Sequence, residues 1–267
     1  MNAGRRIGLI GYGAIAKVLL DTLAQHRQDI EVIGIVRRKD GASAPRPYRF
    51  CTDISELLAL KPDLIVECAG HEALRAMGPA VLAAGTDLLV ASTGALADRA
   101  TEAALRAAAA QTAAHVILVA GAVGGLDALS AARRSGLTQV LYTGRKPPQA
   151  WRGTAAEKIV DLNGIRGSAA IVFDGTAREA ALRFPQNANV AAAVALAGIG
   201  FDDTRVTLLA DPGAGGNLHC IEAQGSFGRF RIELEGIALQ DNPKTSRLTV
   251  GSLAAALLDG RQSIVFA

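Results

Sequence analysis

The chain has 267 residues, half of them hydrophobic and a fifth charged, with a formal net charge of +3. That balance excludes a disordered chain and leaves room for one large domain or two smaller ones. No Lys/Arg cluster is interleaved with aromatics, which argues against a nucleic-acid partner.

Three cysteines, Cys51, Cys68 and Cys220, lack CxxC spacing, so neither a disulfide framework nor a metal site is indicated and a reducing compartment fits. The two arginines near the N-terminus precede an apolar run broken by glycines, too short for a signal-peptide core. The longest apolar run, "VAAAVALAGIGF" (190–201), falls short of the roughly 20 residues of a membrane span. A soluble, cytoplasmic protein without a membrane partner is expected.

Strands are predicted at 7–10, 31–36, 64–68, 87–90 and 116–119, separated by helices around 14–25, 53–60, 72–84 and 98–113. In the first helix Ile15, Val18, Leu19 and Leu23 form one apolar stripe to lay on a sheet. Thr52 or Asp53 caps the second helix and Pro62 ends it. Such alternation means βαβ units, hence an α/β, doubly wound parallel sheet over 1–120.

After Gly121 the pattern changes. A helix at 124–135 leads into mixed elements, and "TRVTLLAD", "NLHCIEAQG" and "GRFRIELEGIAL" read as consecutive strands with glycine-bearing turns. A second, α+β domain with a largely antiparallel sheet is expected over 121–243. The segment 245–258 reads as a last helix, so that 244–267 rejoins the first domain.

"GLIGYGAIA" places Gly11, Gly13 and Ala16 in the GxGxxG/A spacing between a strand and a helix. Gly11 permits the tight turn, Gly13 lets backbone N–H groups near a pyrophosphate, and small Ala16 allows close helix–strand packing. With Ala14 and Ile15 opening the helix, its N-terminus offers N–H donors and partial positive charge to phosphates. A bare glycine turn is the plain alternative, but the flanking βαβ pattern supports NAD or NADP. The second strand runs into Arg37 and Arg38 instead of the acid that grips a ribose 2′-hydroxyl, so NADP should be accepted, through planar contacts to a 2′-phosphate.

Two further turns follow strands, where ligands sit in open α/β sheets. Ala69 and Gly70 lie in "CAGHEAL", Ser92 and Thr93 in "ASTGAL", and all four are assigned to the cofactor. His71 starts a helix and is read as a polar cap. Along the strand of 217–225, Asn217, His219, Ile221 and Ala223 share one face and Cys220 the other, which disfavours a Cys–His pair. A lone strand histidine is more often structural than catalytic. Asn187 and Asn189 precede an apolar helix; one suffices as a cap, leaving the other to hydrogen-bond a ligand.

"GLIGYGAIA", "STGALADR", "GAVGGLDAL", "FPQNANVAA", "NLHCIEAQGSFG" and "NPKTS" occur in this order, and together the chain resembles the L-aspartate dehydrogenase family from Ile7 to Ser246. The resemblance implies a Rossmann domain, a substrate and dimerisation domain, and a homodimer. It also implies NAD(P)-dependent oxidation of L-aspartate to iminoaspartate, which hydrolyses to oxaloacetate and ammonia or supplies NAD biosynthesis. It makes His219 the active-site residue and places Ala122 and Asn189 at the cofactor. Arg37 and Arg38, where some members carry an acid, depart from the pattern.

The reaction needs a group that takes a proton from the amine and then activates water, and a histidine near neutrality suits both. Asn217 is read as orienting the ring, and Asn187 as a second substrate contact. Lys244 and Thr245, with Ser246, are assigned to the substrate carboxylates. Homoserine- or sugar-type dehydrogenases share the N-terminal half, and a non-catalytic dinucleotide redox sensor is the remaining alternative. Sugar-type enzymes carry a catalytic lysine in a Lys-Pro turn; Lys146-Pro147 falls later in the chain than that mechanism wants.

Overall fold

Ile7, Leu9 and Ile10 are fully buried in the first strand, β1 (Arg5–Ile10), because a parallel strand covered on both faces has no polar side. The computed structural model describes residues 4–25, 30–37, 48–239 and 242–259, of which 242–244 by backbone alone. These residues divide into two compact units. One comprises the chain to Ala95, 99–119 and the final helix from Val250; the other comprises 96–98 and 120–249.

In the first unit β1 is followed by α1 (Ala14–Gln25), β2 (Ile30–Val36), β3 (Phe50–Cys51), α2 (Ile54–Leu58), β4 (Leu64–Glu67), α3 (His71–Ala83), β5 (Asp87–Val90), α4 (Arg99–Ala110) and β6 (Val116–Leu118). All pair in parallel in the order β3-β2-β1-β4-β5-β6. The chain thus reverses its winding between β1 and β4, where open α/β sheets bind ligands. Buried Ala16, Leu19, Leu20 and Leu23 form the packed stripe of α1. Asp53 caps α2 by accepting from the Glu56 N–H at 2.9 Å. The two-residue β3 escaped sequence reading because so short a strand has no periodicity.

The second unit holds α5 (Leu126–Arg134), β7 (Leu137–Lys146), β8 (Ala170–Thr176), α6 (Ala177–Arg183), α7 (Asn189–Ala197), β9 (Arg205–Ala210), β10 (Asn217–Gly225) and β11 (Gly228–Gly236). They are followed by a two-stranded ribbon, β12 (Ala238–Leu239) with β13 (Asn242–Ser246), and by the start of α8 (Arg247–Leu258). The predicted helix at 245–258 therefore begins later: Asn242–Ser246 pair as a strand, with Ser246 opposite Ala238. The five-stranded sheet has the order β11-β10-β7-β9-β8; β7 and β9 run parallel and the other pairs antiparallel.

Alternation on this sheet is strict where it matters. Val140, Tyr142, Gly144 and Lys146 of β7 and Asn217, His219, Ile221 and Ala223 of β10 are all buried, and their neighbours are not. His219 lies opposite Gly144 and Ile221 opposite Tyr142, so both sets share one face. Helix α7 packs there, since a Cβ on Gly198 would sit 3.2 Å from Val140 Cγ2. Among the described residues no helix is long and apolar enough to cross a membrane.

Candidate active site

In the first unit, Gly11 has φ +104 and its N–H donates to the Val36 carbonyl at 2.8 Å. A Cβ there would meet Ala69 Cβ at 2.8 Å, whereas one on Gly13 would meet nothing within 4 Å. Gly11 therefore serves the fold, and Gly13 faces open space at the start of α1, where Ala14 and Ile15 form the first turn. This suits a pyrophosphate: backbone can approach it, and no side chain stands in the way. Arg37, at the end of β2, places its guanidinium 4.7 Å from the Phe50 ring centroid, and Phe50 meets Tyr12 edge-on at 5.2 Å. Arg38 lies outside the described residues.

The turns after β4 and β5 share an anchor that sequence reading missed. Glu67, fully buried, accepts the N–H groups of Ala69 and Gly70 through Oε1, both at 2.8 Å. It also accepts the Ser92 hydroxyl at 3.0 Å and the Ser92 N–H at 3.1 Å. Burial pushes this carboxyl upward from its ordinary value, and those four hydrogen bonds oppose the shift. The Ala69, Gly70 and Ser92 donors assigned to the cofactor are thus directed at the protein's own carboxylate. Thr93 is buried in the short 3₁₀ turn Thr93–Ala97, and His71 is the first residue of α3. The only sequence signal for Glu67 was an acid ending an otherwise apolar strand, "LIVE".

In the second unit the inner face of β7 and β10 gathers polar groups. The Tyr142 hydroxyl and His219 Nδ1 are 2.7 Å apart, both side chains buried. His219 Nε2 is buried with no hydrogen-bond partner. Burial, reinforced by the charge of Lys146, lowers the imidazole from 6.5 to about 3, so the expected titration near neutrality is corrected: the buried ring is neutral. Tyr142 engages the ring at Nδ1, and Asn217, expected to help orient it, is buried on the same face, two residues away. Cys220 is half-buried on the opposite face.

Lys146 is 5% exposed, and its Nζ donates to Asn187 Oδ1 at 3.1 Å. Asn187 Nδ2 is buried with no hydrogen-bond partner. Neither asparagine caps α7: the N-cap is Ala188, without a side-chain cap bond, and Asn189 is the first helical residue. The Lys-Pro turn set aside as too late in the chain therefore ends in the same unit as His219 and acts on it electrostatically. The signal that could have found it was the alternation of β7, which puts Tyr142 and Lys146 on one face. Ala122 is buried after Gly121, whose φ is +69. Thr245 is half-buried in β13, and the Lys244 side chain lies outside the described residues. Ser246 is buried, its Oγ 2.9 Å from where a Cβ on Gly236 would stand, and Gly236 pairs with Asn217. The "NPKTS" run thus lies by the end of the sheet where β10 begins.

Residues 127–260 match a family model described as aspartate dehydrogenase, C-terminal, and residues 11–119 one described as homoserine dehydrogenase, NAD binding domain. The chain is 49% identical to the L-aspartate dehydrogenase of Ruegeria pomeroyi, over 94% of this chain and 91% of that one. It is 44% identical to that of Pseudomonas aeruginosa, over 94% and 96%. The crystal structure of aspartate dehydrogenase from Thermotoga maritima superposes with a TM-score of 0.79 at 26% identity, over 99% of this chain and 100% of that one. A hyperthermophilic archaeal homoserine dehydrogenase, in complex with NADPH, shares the fold: TM-score 0.59, 12% identity, 96% and 97% covered.

Proposed function

Because this chain belongs to the aspartate dehydrogenase family, we propose that it performs the family's reaction with His219 as the proton-transfer residue. It is an NAD(P)-dependent oxidoreductase acting on the CH–NH2 group of L-aspartate, which becomes iminoaspartate and then oxaloacetate and ammonia. When bound, the nicotinamide nucleotide accepts the hydride from the substrate Cα.

One observation carries the role of His219: a buried imidazole engaged at Nδ1 and unpartnered at Nε2. A tyrosine hydroxyl can accept from Nδ1–H or donate to Nδ1, so Tyr142 supports either neutral tautomer. With the proton on Nδ1, the Nε2 lone pair takes a proton from the substrate amine. Once that proton has passed to solvent, the same atom, again a free lone pair, takes a proton from water as it adds to the imine carbon.

Gly11, Gly13, Ala14 and Ile15 would hold the nucleotide, with Ala122 and Asn189 as further contacts inferred from the resemblance. Arg37, stacked on Phe50, supports acceptance of NADP beside NAD, with Arg38 as a second cation. Thr93 and the turns ordered by Glu67 would shape the rest of that site. Asn187, Asn217, Lys244 and Thr245 are proposed substrate contacts. A cytoplasmic homodimer, and a supply of iminoaspartate to NAD biosynthesis, belong to the same proposal.

An initial-rate screen of L-aspartate, L-homoserine and a sugar with NAD and NADP tests this. Reduction with aspartate alone is expected; tight nucleotide binding without turnover would favour the sensor. His219→Ala should keep nucleotide binding and lose turnover, and near-normal turnover would remove His219 from the chemistry. Sedimentation of the purified protein measures the homodimer.

A further inference from the structure

We propose that Lys146 and Asn187 form a seat for one carboxylate of the substrate, and so select a dicarboxylate. The proposal rests on aspartate as substrate and names residues that recognise it.

Lys146 closes β7 on its buried face, two residues beyond Gly144, which lies opposite His219. Nζ of this buried lysine donates to Asn187 Oδ1 at 3.1 Å, which holds the ammonium beside the carboxamide. That carboxamide in turn keeps Nδ2 buried and unpartnered. An orphaned buried donor is destabilising in a fold that has no use for it. It sits on the same amide group that the lysine engages, so an anion reaching one donor is within reach of the other. A carboxylate accepts from both at once, through charge-assisted bonds of the stronger kind.

The chemistry also separates this seat from His219. A neutral imidazole with a free Nε2 suits an amine or a water, not an anion. The lysine–amide pair suits an anion and has no proton-accepting atom. An amino-dicarboxylate presents both kinds of group a few bonds apart.

The test uses the full-length protein with saturating NADH or NAD, and Lys146→Met, which keeps the length of the side chain and removes its charge. Calorimetric binding of succinate, a dicarboxylate without an amine, should weaken roughly 10- to 100-fold, as loss of a charge-assisted contact predicts. KM for aspartate should rise with it, while the Kd for NADH stays unchanged and shows that the variant is folded. Lys146→Arg should recover part of the affinity. L-asparagine, measured as an inhibitor, identifies the carboxylate. If its Ki is unaffected by Lys146→Met, the seat takes the side-chain carboxylate; if Ki rises together with the aspartate KM, it takes the α-carboxylate. Succinate affinity and aspartate KM that both survive Lys146→Met would overturn the seat. Wild-type protein that binds succinate but never turns over aspartate would refute the reaction and leave the seat standing.

Discussion

The Tyr142 hydroxyl crosses from β7 to reach His219 Nδ1 on β10 at 2.7 Å, with the two rings 19° from parallel. The residue directly opposite His219 is Gly144, and a Cβ there would come within 2.9 Å of that hydroxyl. Glycine at 144 thus leaves the space through which the phenol reaches the imidazole. The pair is set by strand register, and it orients the one polar atom of the histidine that has no partner.

Tyr142→Phe keeps the ring and deletes the hydroxyl, leaving Nδ1 buried without a partner, at a cost of about 1–3 kcal/mol. The imidazole then loses both its fixed orientation and its tautomer support. Turnover of aspartate should fall about tenfold or more, with nucleotide affinity unchanged. Steady-state kinetics with a separate NADH titration checks this. Unchanged kcat would mean that the ring is held by its packing alone.

Protonation of His219 links stability to pH. Its folded value, about 3, lies below the 6.5 of the free side chain, because burial and the Lys146 charge disfavour the imidazolium. Among the described residues of β7 and β10, Tyr142 and Lys146 are the titratable groups on the face it shares. Between 6.5 and about 3 the unfolded chain binds the extra proton and the folded chain does not, so stability is full above 6.5 and declines as pH falls. The limiting slope is about 1.4 kcal/mol per pH unit. Urea denaturation of wild type and His219→Gln at pH 7 and 5.5 should show the difference between them narrowing by about 1 kcal/mol in acid. A constant difference would place the imidazole in a wetter environment than the structure gives it.

Glu67 makes a distinct prediction in the first unit. Its Oε1 accepts from Ala69, Gly70 and the Ser92 hydroxyl, and its Oε2 from the Ser92 N–H. In Glu67→Gln the amide oxygen can replace Oε1, but an NH2 group then faces the Ser92 N–H, donor against donor. Unfolding free energy should drop by about 1–3 kcal/mol, and NADH should bind more weakly as the two turns loosen. Glu67→Ala, which orphans all four donors, should lose more. Equal stability of wild type and the glutamine variant would contradict the network.

Much of this was legible in the chain because periodicity and glycine chemistry are local. Helix α1 and strand β10 could be read end to end from spacing, and the turn at Gly11 from its residue types alone. What stayed hidden depends on partners distant in sequence. Tyr142 is 77 residues from His219 and Lys146 is 41 from Asn187; the β7–β10 register joins the first pair, and the turn between α6 and α7 brings Asn187 to the second. Lys146 was set aside for its late place in the chain, and position along the chain says nothing of the buried face on which it ends β7. The expectation of a neutral-range histidine failed for the same reason: intrinsic values carry no information about burial. The paired asparagines were read through helix capping, and that premise failed, since α7 starts at Asn189 and uses neither as a cap.

Gly11 and Gly13 stand two residues apart and should answer substitution in opposite ways. Gly11 combines a φ of +104 with a Cβ position 2.8 Å from Ala69 Cβ and 2.9 Å from its Cα. Gly11→Ala therefore adds backbone strain of about 1–2 kcal/mol to a contact with main chain that cannot swing aside. Its melting temperature should fall by several degrees even without ligand. Gly13 needs no left-handed backbone, and its Cβ would point into open space. Gly13→Val should melt close to wild type and yet lose at least about tenfold in NADH affinity, because the branched side chain occupies the approach of the pyrophosphate. Thermal unfolding with and without NADH separates the two. The valine variant should lose the ligand-induced rise in melting temperature, and one that kept the full rise would show that the phosphates lie away from this turn.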